Sequence, residues 1–315
     1  MAAGKTFLSP NEIRPLARRS DWMGVALVVH CWGVIALAVA FFAWLPSVVT
    51  WLVAVVLIGS RQLGLAILMH EAAHNALFAT RRWNDWAGQW LCAQPILAEM
   101  TSYRRYHLTH HRHTQTELDP DLVLSRPYPT TRDSLIRKFG RDLTGRTGFK
   151  LRAIQVRQAF QLAFDPDAMA GADMAQTFQS ADLRPALLVN AVIFAVLWAV
   201  GDWWWWVAFW LVPLLTWFQF VVRLRNIAEH GAVETSDNPL RNVRTTHAGP
   251  LARLLVAPYW VNYHLEHHLV MHVPCWRLPQ LHRLMVEKGY GPEMEIARSY
   301  WHVLGRVGWR ERSAA

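Results

Sequence analysis

The sequence predicts an all-α integral membrane protein, with four transmembrane helices paired as two hairpins, an interfacial helix, and a cytoplasmic helical cap bearing a metal site. Three observations predict it. Of the 315 residues, 53% are hydrophobic and 18 are Trp, and the apolar residues fall in blocks rather than at amphipathic spacing, which is a membrane composition. The blocks come in pairs separated by very short polar turns. Three histidine-rich boxes, far apart in sequence, each follow a long apolar or aromatic segment.

Taken in order, residues 1 to 20 carry Lys5, Arg14, Arg18 and Arg19, after which residues 22–45 run without a charge. At 1.5 Å per residue this crosses ~30 Å of hydrocarbon. A cleaved signal peptide is the competing reading, but the run is too long and a second follows after only Pro46 and Ser47. The second helix spans 48–69, and its polar pair Arg61 and Gln62 marks a helix leaving the bilayer or turned toward the site. Residues 81–100 space Trp83, Trp86, Trp90 and Leu91 three and four apart among polar residues, which suits a helix lying in the interface. From 101 to 182 the chain is polar and Arg-rich, with Asp-Pro, Arg-Pro and Gly-Arg-Thr-Gly breaks, so short water-exposed helices are expected. Residues 185–200 and 203–222 form the second hairpin, turned at Gly201-Asp202, with Trp203 to Trp206 as an aromatic belt. Residues 231–315 are polar again, and the chain reads as one domain, 1–315.

The formal charge of +9 lies between the apolar blocks, which assigns it to topology and lipid headgroups rather than to nucleic acid, since no basic face recurs with a reading motif. Neither tight turn holds a Lys or Arg. The positive-inside rule therefore puts both termini and all three boxes in the cytoplasm, in a bacterial inner membrane. Cys31, Cys92 and Cys275 form no CxxC and no even framework, which excludes disulfide stapling and a Cys-type zinc site.

The boxes carry the chemistry. His107-x-x-His110-His111 concentrates imidazoles where a solvated helix would use Lys or Glu and a core would use aliphatics, so it points to metal ligation or proton handling. His70 and His74 share a helix face, and His264-x-x-His267-His268 repeats the spacing of the second box. In both, the first ring and one of the adjacent pair share a face while the other diverges, as two metals require. Eight imidazoles are too many for one tetrahedral zinc and suit two irons with open positions. His230, ending the fourth apolar segment, is a ninth candidate, with a capping or core histidine as its competing reading. His-Glu-Ala-Ala-His also matches the zinc metalloprotease signature with Glu71 as general base, but that leaves six histidines without a role. His113 and His272 have weaker claims as ligands. Asp119 and Asp121 read as turn and cap residues, and His30, His247, His282 and His302 as structural.

The boxes HEAAH, HLTHH and HLEHH, with the hairpin layout, resemble the membrane fatty acid desaturase and hydroxylase superfamily of non-haem di-iron enzymes, over about residues 60–285. The resemblance implies two iron ions held by His70, His74, His107, His110, His111, His230, His264, His267 and His268, with Asn226 holding a water near one iron. It implies O2-dependent insertion of a double bond into a lipid acyl chain. Glu229 and Glu266 depart from the small or apolar residues often found there. Residues 113–121 and 273–279 are also similar to bacterial carotenoid ketolases, so hydroxylation or ketolation of a lipid or carotenoid is the alternative. No haem motif or Cys-rich iron–sulfur pattern is present. A separate ferredoxin, rubredoxin or cytochrome is therefore the expected electron donor, guided to the Arg-rich surface by charge.

Overall fold

The computed structural model describes residues 7–164, 182–236 and 238–308. Helices dominate them, and among the described residues the only paired strands are the two-residue β1 (Thr245–Thr246) and β2 (Ile296–Ala297), which are parallel.

A capping box between Ser9 and Glu12 opens α1 (Pro10–Leu16). Ser20 caps α2 (Asp21–Trp44), whose end is set by Pro46, because proline disfavours helical backbone in the residue before it. Ser47 and Thr50 cap each other to open α3 (Val48–Ala73), and the three-residue turn lays it antiparallel to α2 as a close-packed hairpin. Expected to end at residue 69, α3 instead runs through the first histidine box. The helix continues unbroken through the polar pair Arg61 and Gln62. Both are buried, Arg61 donating to the Leu254 carbonyl under the Tyr259 ring and Gln62 donating to the Trp210 carbonyl at 3.0 Å.

The expected interfacial helix at 81–100 is broken into α4 (Arg81–Ala87), a π-helical turn at Gly88–Ala93 and a 3₁₀ turn at Gln94–Ile96, ending at left-handed Leu97. Close approach dictates the break. A Cβ on Gly88 would lie 2.4 Å from Ala72 Cβ, so only glycine lets this segment press on α3 beside the first box. Trp83 and Trp86 remain exposed, as an interfacial face requires.

Next come α5 (Met100–His113), α6 (Leu122–Ser125), α7 (Arg132–Leu143) and α8 (Arg146–Phe164). At 19 residues, α8 is longer than the short helices expected here; the rest of the expected polar region, 165–181, lies outside the described residues. After α9 (Arg184–Val200), a π-helical turn at Val207–Leu211, α10 (Val212–Leu215) and α11 (Trp217–His230) form one apolar stretch of 24 residues. Pro213 lacks the N–H that regular helix would use, which accounts for the π turn before it. The expected span 203–222 is shifted, because Trp203 and Trp204 stay in the preceding turn and the helix continues to His230. Three described stretches are long and apolar enough to cross a membrane, namely α2, α3 and Val207–His230; α9, at 17 residues, is shorter than they are. The chain closes with α12 (Pro250–Leu255), α13 (His264–Leu269), α14 (Leu278–Glu287) and α15 (Tyr300–Val307).

Candidate metal centre

Nine imidazoles converge where α3, α5, α11 and α13 meet, and they sort into two adjoining groups. His70, His74, His107, His111 and His267 have potential ligand atoms within 4.8 Å of one another; His110, His230, His264 and His268 form a second such group. The sorting follows helical geometry. Residues four apart stay together, so His107 pairs with His111 and His264 with His268, while the residue at the third position turns to the other group. The groups touch through the His111 and His268 rings, stacked with centroids 4.1 Å apart.

The ring nitrogens point at one another. Nε2 atoms lie 2.9 Å apart between His107 and His111, 3.1 Å between His111 and His267, 2.8 Å between His230 and His264, and 3.3 Å between His110 and His268. Neither ring nitrogen of His70 has a hydrogen-bond partner, and His74 Nε2, His230 Nδ1 and His267 Nδ1 also lack one. Buried polar atoms are normally satisfied, so unpaired nitrogens among rings gathered into two groups fit metal coordination. Burial, reinforced by neighbouring rings, drives His107, His111, His264, His267 and His268 well below their ordinary pKa of 6.5. It takes His74, next to the Arg104 guanidinium, down to about 3. Neutral imidazole is the ligating form.

A layer of carboxylates and hydroxyls orients these rings. Asp119 accepts from His110 Nδ1 at 2.7 Å and from the backbone N–H groups of Gln115 and Asp121, each at 2.8 Å. It is thus the turn residue its sequence position indicates and also the partner that fixes the His110 ring. Burial opposes a proton on His110, but Asp121 and Asp119 outweigh it and hold its pKa above the usual value. Thr114 Oγ1 lies 3.3 Å from His268 Nδ1, and the Glu229 carboxylate, paired with Arg225, lies 3.6 Å from His264 Nδ1. Within the third box, Glu266 accepts from Thr245 and is paired with His282. Glu229 and Glu266, departures from the resembling family, are therefore both partnered, and His282 reaches the box from α14.

Glu71 accepts the Cys275 backbone N–H at 2.8 Å. Its carboxylate lies 3.3 Å from His70 Nδ1 without the alignment of a hydrogen bond. Committed to tying the first box to the segment after the third, it is not a free base beside two ligands, as the metalloprotease reading needs. Arg104 on α5 closes the end of α3, donating to the Ala73 carbonyl through Nε and to the Ala72 carbonyl through Nη2, both at 2.9 Å, and to Asp85 at 2.7 Å. Just before α13, Tyr259 and Trp260 sit at positive φ, 54° and 56°. Such a conformation disfavours side chains with a Cβ, and here the Tyr259 hydroxyl bonds His30 Nδ1 at 3.1 Å while Arg61 lies over its ring.

Asn226 is half-buried on α11, one turn before His230. His113, half-buried, and His272, exposed, join neither group, and His30, His247, His282 and His302 also stay outside. Sequence reasoning missed Arg104, Thr114, Thr245 and the orienting roles of Asp119 and His282. The proximity of Asp119 to the second box was the one available signal.

A sequence profile described as Fatty acid desaturase matches residues 47–299. The chain is 28% identical over 308 residues to a dihydrorhizobitoxine desaturase of Bradyrhizobium elkanii, covering 89% of this chain and 79% of that protein. It is 28% identical over 268 residues to a beta-carotene ketolase of Paracoccus sp. (strain PC1), covering 81% and 89%. With an sn-1 oleoyl-lipid 12-desaturase of Picosynechococcus sp. it shares 24% over 312 residues, covering 95% and 85%.

Proposed function

The chain belongs to the fatty acid desaturase family, and from that premise we propose that this integral membrane oxidoreductase uses two non-haem irons and O2 to introduce a double bond into a lipid acyl chain. The single observation that carries the metal reading is the convergence of nine imidazoles, seven buried and two half-buried, into two groups with unpaired nitrogens. In it, His70, His74, His107, His111 and His267 hold one iron; His110, His230, His264 and His268 hold the other, and Asn226 holds a water nearby. Two irons bound there, with O2 and two supplied electrons, provide the oxidising power to remove hydrogen from an unactivated C–H bond.

The chain's own residues do the rest. Burial keeps His74, His107, His111, His264, His267 and His268 neutral, and Asp119 and Thr114 orient the His110 and His268 rings. The apolar spans, with α9 as the fourth, bring a lipid chain to a site at the cytoplasmic face. Arg105 and Arg112, exposed on α5 beside the second box, offer a separate electron-transfer protein a positive docking face. A second reading, hydroxylation or ketolation of a lipid or carotenoid, is favoured by the ketolase relative.

Metal analysis of the purified chain tests the proposal. Two irons per chain, lost in His267→Ala and kept in His302→Ala, is the expected result. One zinc per chain, or equal effects of the two substitutions, would refute the ligand assignment. Lipid and pigment profiling of cells with and without the protein then reads substrate and reaction together.

A further inference from the structure

A cavity of about 630 Å³ opens between α2 and α9, away from the histidines. On α2 its wall includes Ala36, Ala40 and Ala43, and on α9 Val192, Val196 and Val200, with larger aliphatic and aromatic side chains between and beside them. The gap has a sequence cause. The alanines of α2 are too short to meet the valines opposite, and α9 is instead fastened through Asn190, whose amide donates to the Gln94 and Pro95 carbonyls at 3.3 and 3.4 Å.

The lining is chemically uniform. Two of its indole N–H groups already have backbone partners, Trp32 bonding the Leu91 carbonyl and Trp210 the Pro95 carbonyl, each at 3.1 Å. Trp90 and Trp205 also line it, and beyond these indoles the wall is alkyl and aromatic surface. An occupant with a polar group inside the slot would leave that group unsatisfied, whereas a hydrocarbon chain meets only matching surface.

Dimensions select the chain. Trp32 to Ala43 and Val189 to Val200 each cover eleven helical steps, about 16 Å. One leaflet supplies ~15 Å of hydrocarbon, half of a ~30 Å core. Trp32 is also the midpoint of the 24-residue α2, which sets the slot's inner end at the bilayer midplane and its outer end near the Pro46 turn. Cys31, beside Trp32, donates to the Arg61 carbonyl, so the inner end is level with residues 61 and 62, about 12 Å along α3 from His70. The slot therefore lies in the leaflet opposite the histidines and outside the reaction centre.

We propose that this slot binds one acyl chain of a bilayer phospholipid from that leaflet, acting as a packing element that joins α9 to α2. The inference rests on the reading that α2 and α9 both span the membrane.

The test uses the full chain in phosphatidylethanolamine and phosphatidylglycerol vesicles doped with phosphatidylcholine carrying a photoactivatable diazirine, either at the acyl terminus or near the carbonyl. Adducts are mapped by peptide mass spectrometry. The terminal probe is expected to label around Trp32 and Val189, and the carbonyl-proximal probe around Ala43 and Val200. Ala40→Phe, which fills the slot, should abolish both while leaving labelling at outward-facing Leu37, which is 70% exposed. Val196→Phe plugs the slot from the other wall should Ala40→Phe fail to insert. The reverse order of labelling, as a substrate chain entering from the histidine side would give, overturns the proposal. So does labelling that the plugged variants retain. Absence of labels at Leu37 as well would overturn the membrane placement itself, and iron content, measured separately, reports on the metal reading alone.

Discussion

Arg104→Met isolates the contact that sets the first histidine box against the second. The guanidinium serves the Ala73 carbonyl, the Ala72 carbonyl, Asn75 Oδ1 and Asp85 at the end of α3, where the helix dipole is negative. Met keeps the apolar stem and removes every donor. The Ala72 carbonyl still has Asn84 Nδ2, at 2.9 Å, and Asp85 still has Arg81, so the loss concentrates on the Ala73 carbonyl and the cap. An orphaned buried acceptor costs ~1–3 kcal/mol and a charge at a helix end contributes ~0.3–1 kcal/mol, giving about 2 kcal/mol together. At ~2 °C per kcal/mol for a chain of this size, the thermal midpoint in detergent falls by about 4 °C. Because Arg104 joins α3 to α5, iron should be lost first from the five-imidazole group, leaving closer to one iron per chain than two. Arg104→Lys should not rescue, since one ammonium cannot reproduce the planar fork. A Met variant with wild-type melting and two irons would refute the reasoning.

Asp119→Ala should lower iron affinity ~10–100-fold, read by competition with a chromogenic chelator, with Asp119→Asn falling between because its amide oxygen can still accept from His110 Nδ1. Glu99 caps α5, accepting from the backbone N–H groups of Thr101 at 2.8 Å and Ser102 at 2.6 Å. Burial raises its pKa, but these bonds more than offset that and the net shift is downward from 4.5. Its stabilisation, ~1 kcal/mol, is therefore complete above pH 4.5 and lost as pH falls through the lower folded value. Glu99→Ala should accordingly melt earlier at pH 7 and lose that difference in acid. Chelating the iron should lower the melting temperature by an amount that grows with the logarithm of the free iron concentration it replaces; a midpoint indifferent to iron would contradict ligands drawn from four elements.

The histidine boxes were legible in the sequence because ligand spacing on a helix is a local property. Residues four apart must share a face, so two divergent sets could be expected from HLTHH and HLEHH alone. Which rings meet His74 and which meet His230 depends on how α5 crosses α13, and no local pattern encodes a crossing. The same limit explains the other differences. The π turn before α10 reflects Pro213 acting within a packed bundle, and the division of 81–100 reflects contact between Gly88 and Ala72, two distant segments. Nothing local singles out Arg104 within a polar, Arg-rich stretch, because its acceptors belong to the end of α3, and His282 looked structural because Glu266 lies on a different helix. Hydropathy found α2 and α3 readily but placed the last span four residues early, since Trp203 and Trp204 fit an aromatic belt as well as a helix.

The two groups draw on the fold unequally, and that inequality locates its vulnerable points. The long apolar helices supply one group each, α3 giving His70 and the residue at its end, His74, and α11 giving His230. The short helices α5 and α13 supply both groups. A small rotation of α5 or α13 therefore misplaces nitrogens in both groups at once, whereas the same rotation of α3 or α11 disturbs one. Yet α13 has only six residues and cannot hold its own orientation. Its placement comes from Thr245, which accepts the Leu265 N–H, and from Glu266, tied to Thr245 and His282, while α5 is held by Arg104 and Asp119. Geometry at metal sites depends on such supporting bonds. The hydrogen-bonding residues that fix α5 and α13, His282 among them, should thus govern metal occupancy more strongly than His302, which lies outside both groups and bonds to neither helix.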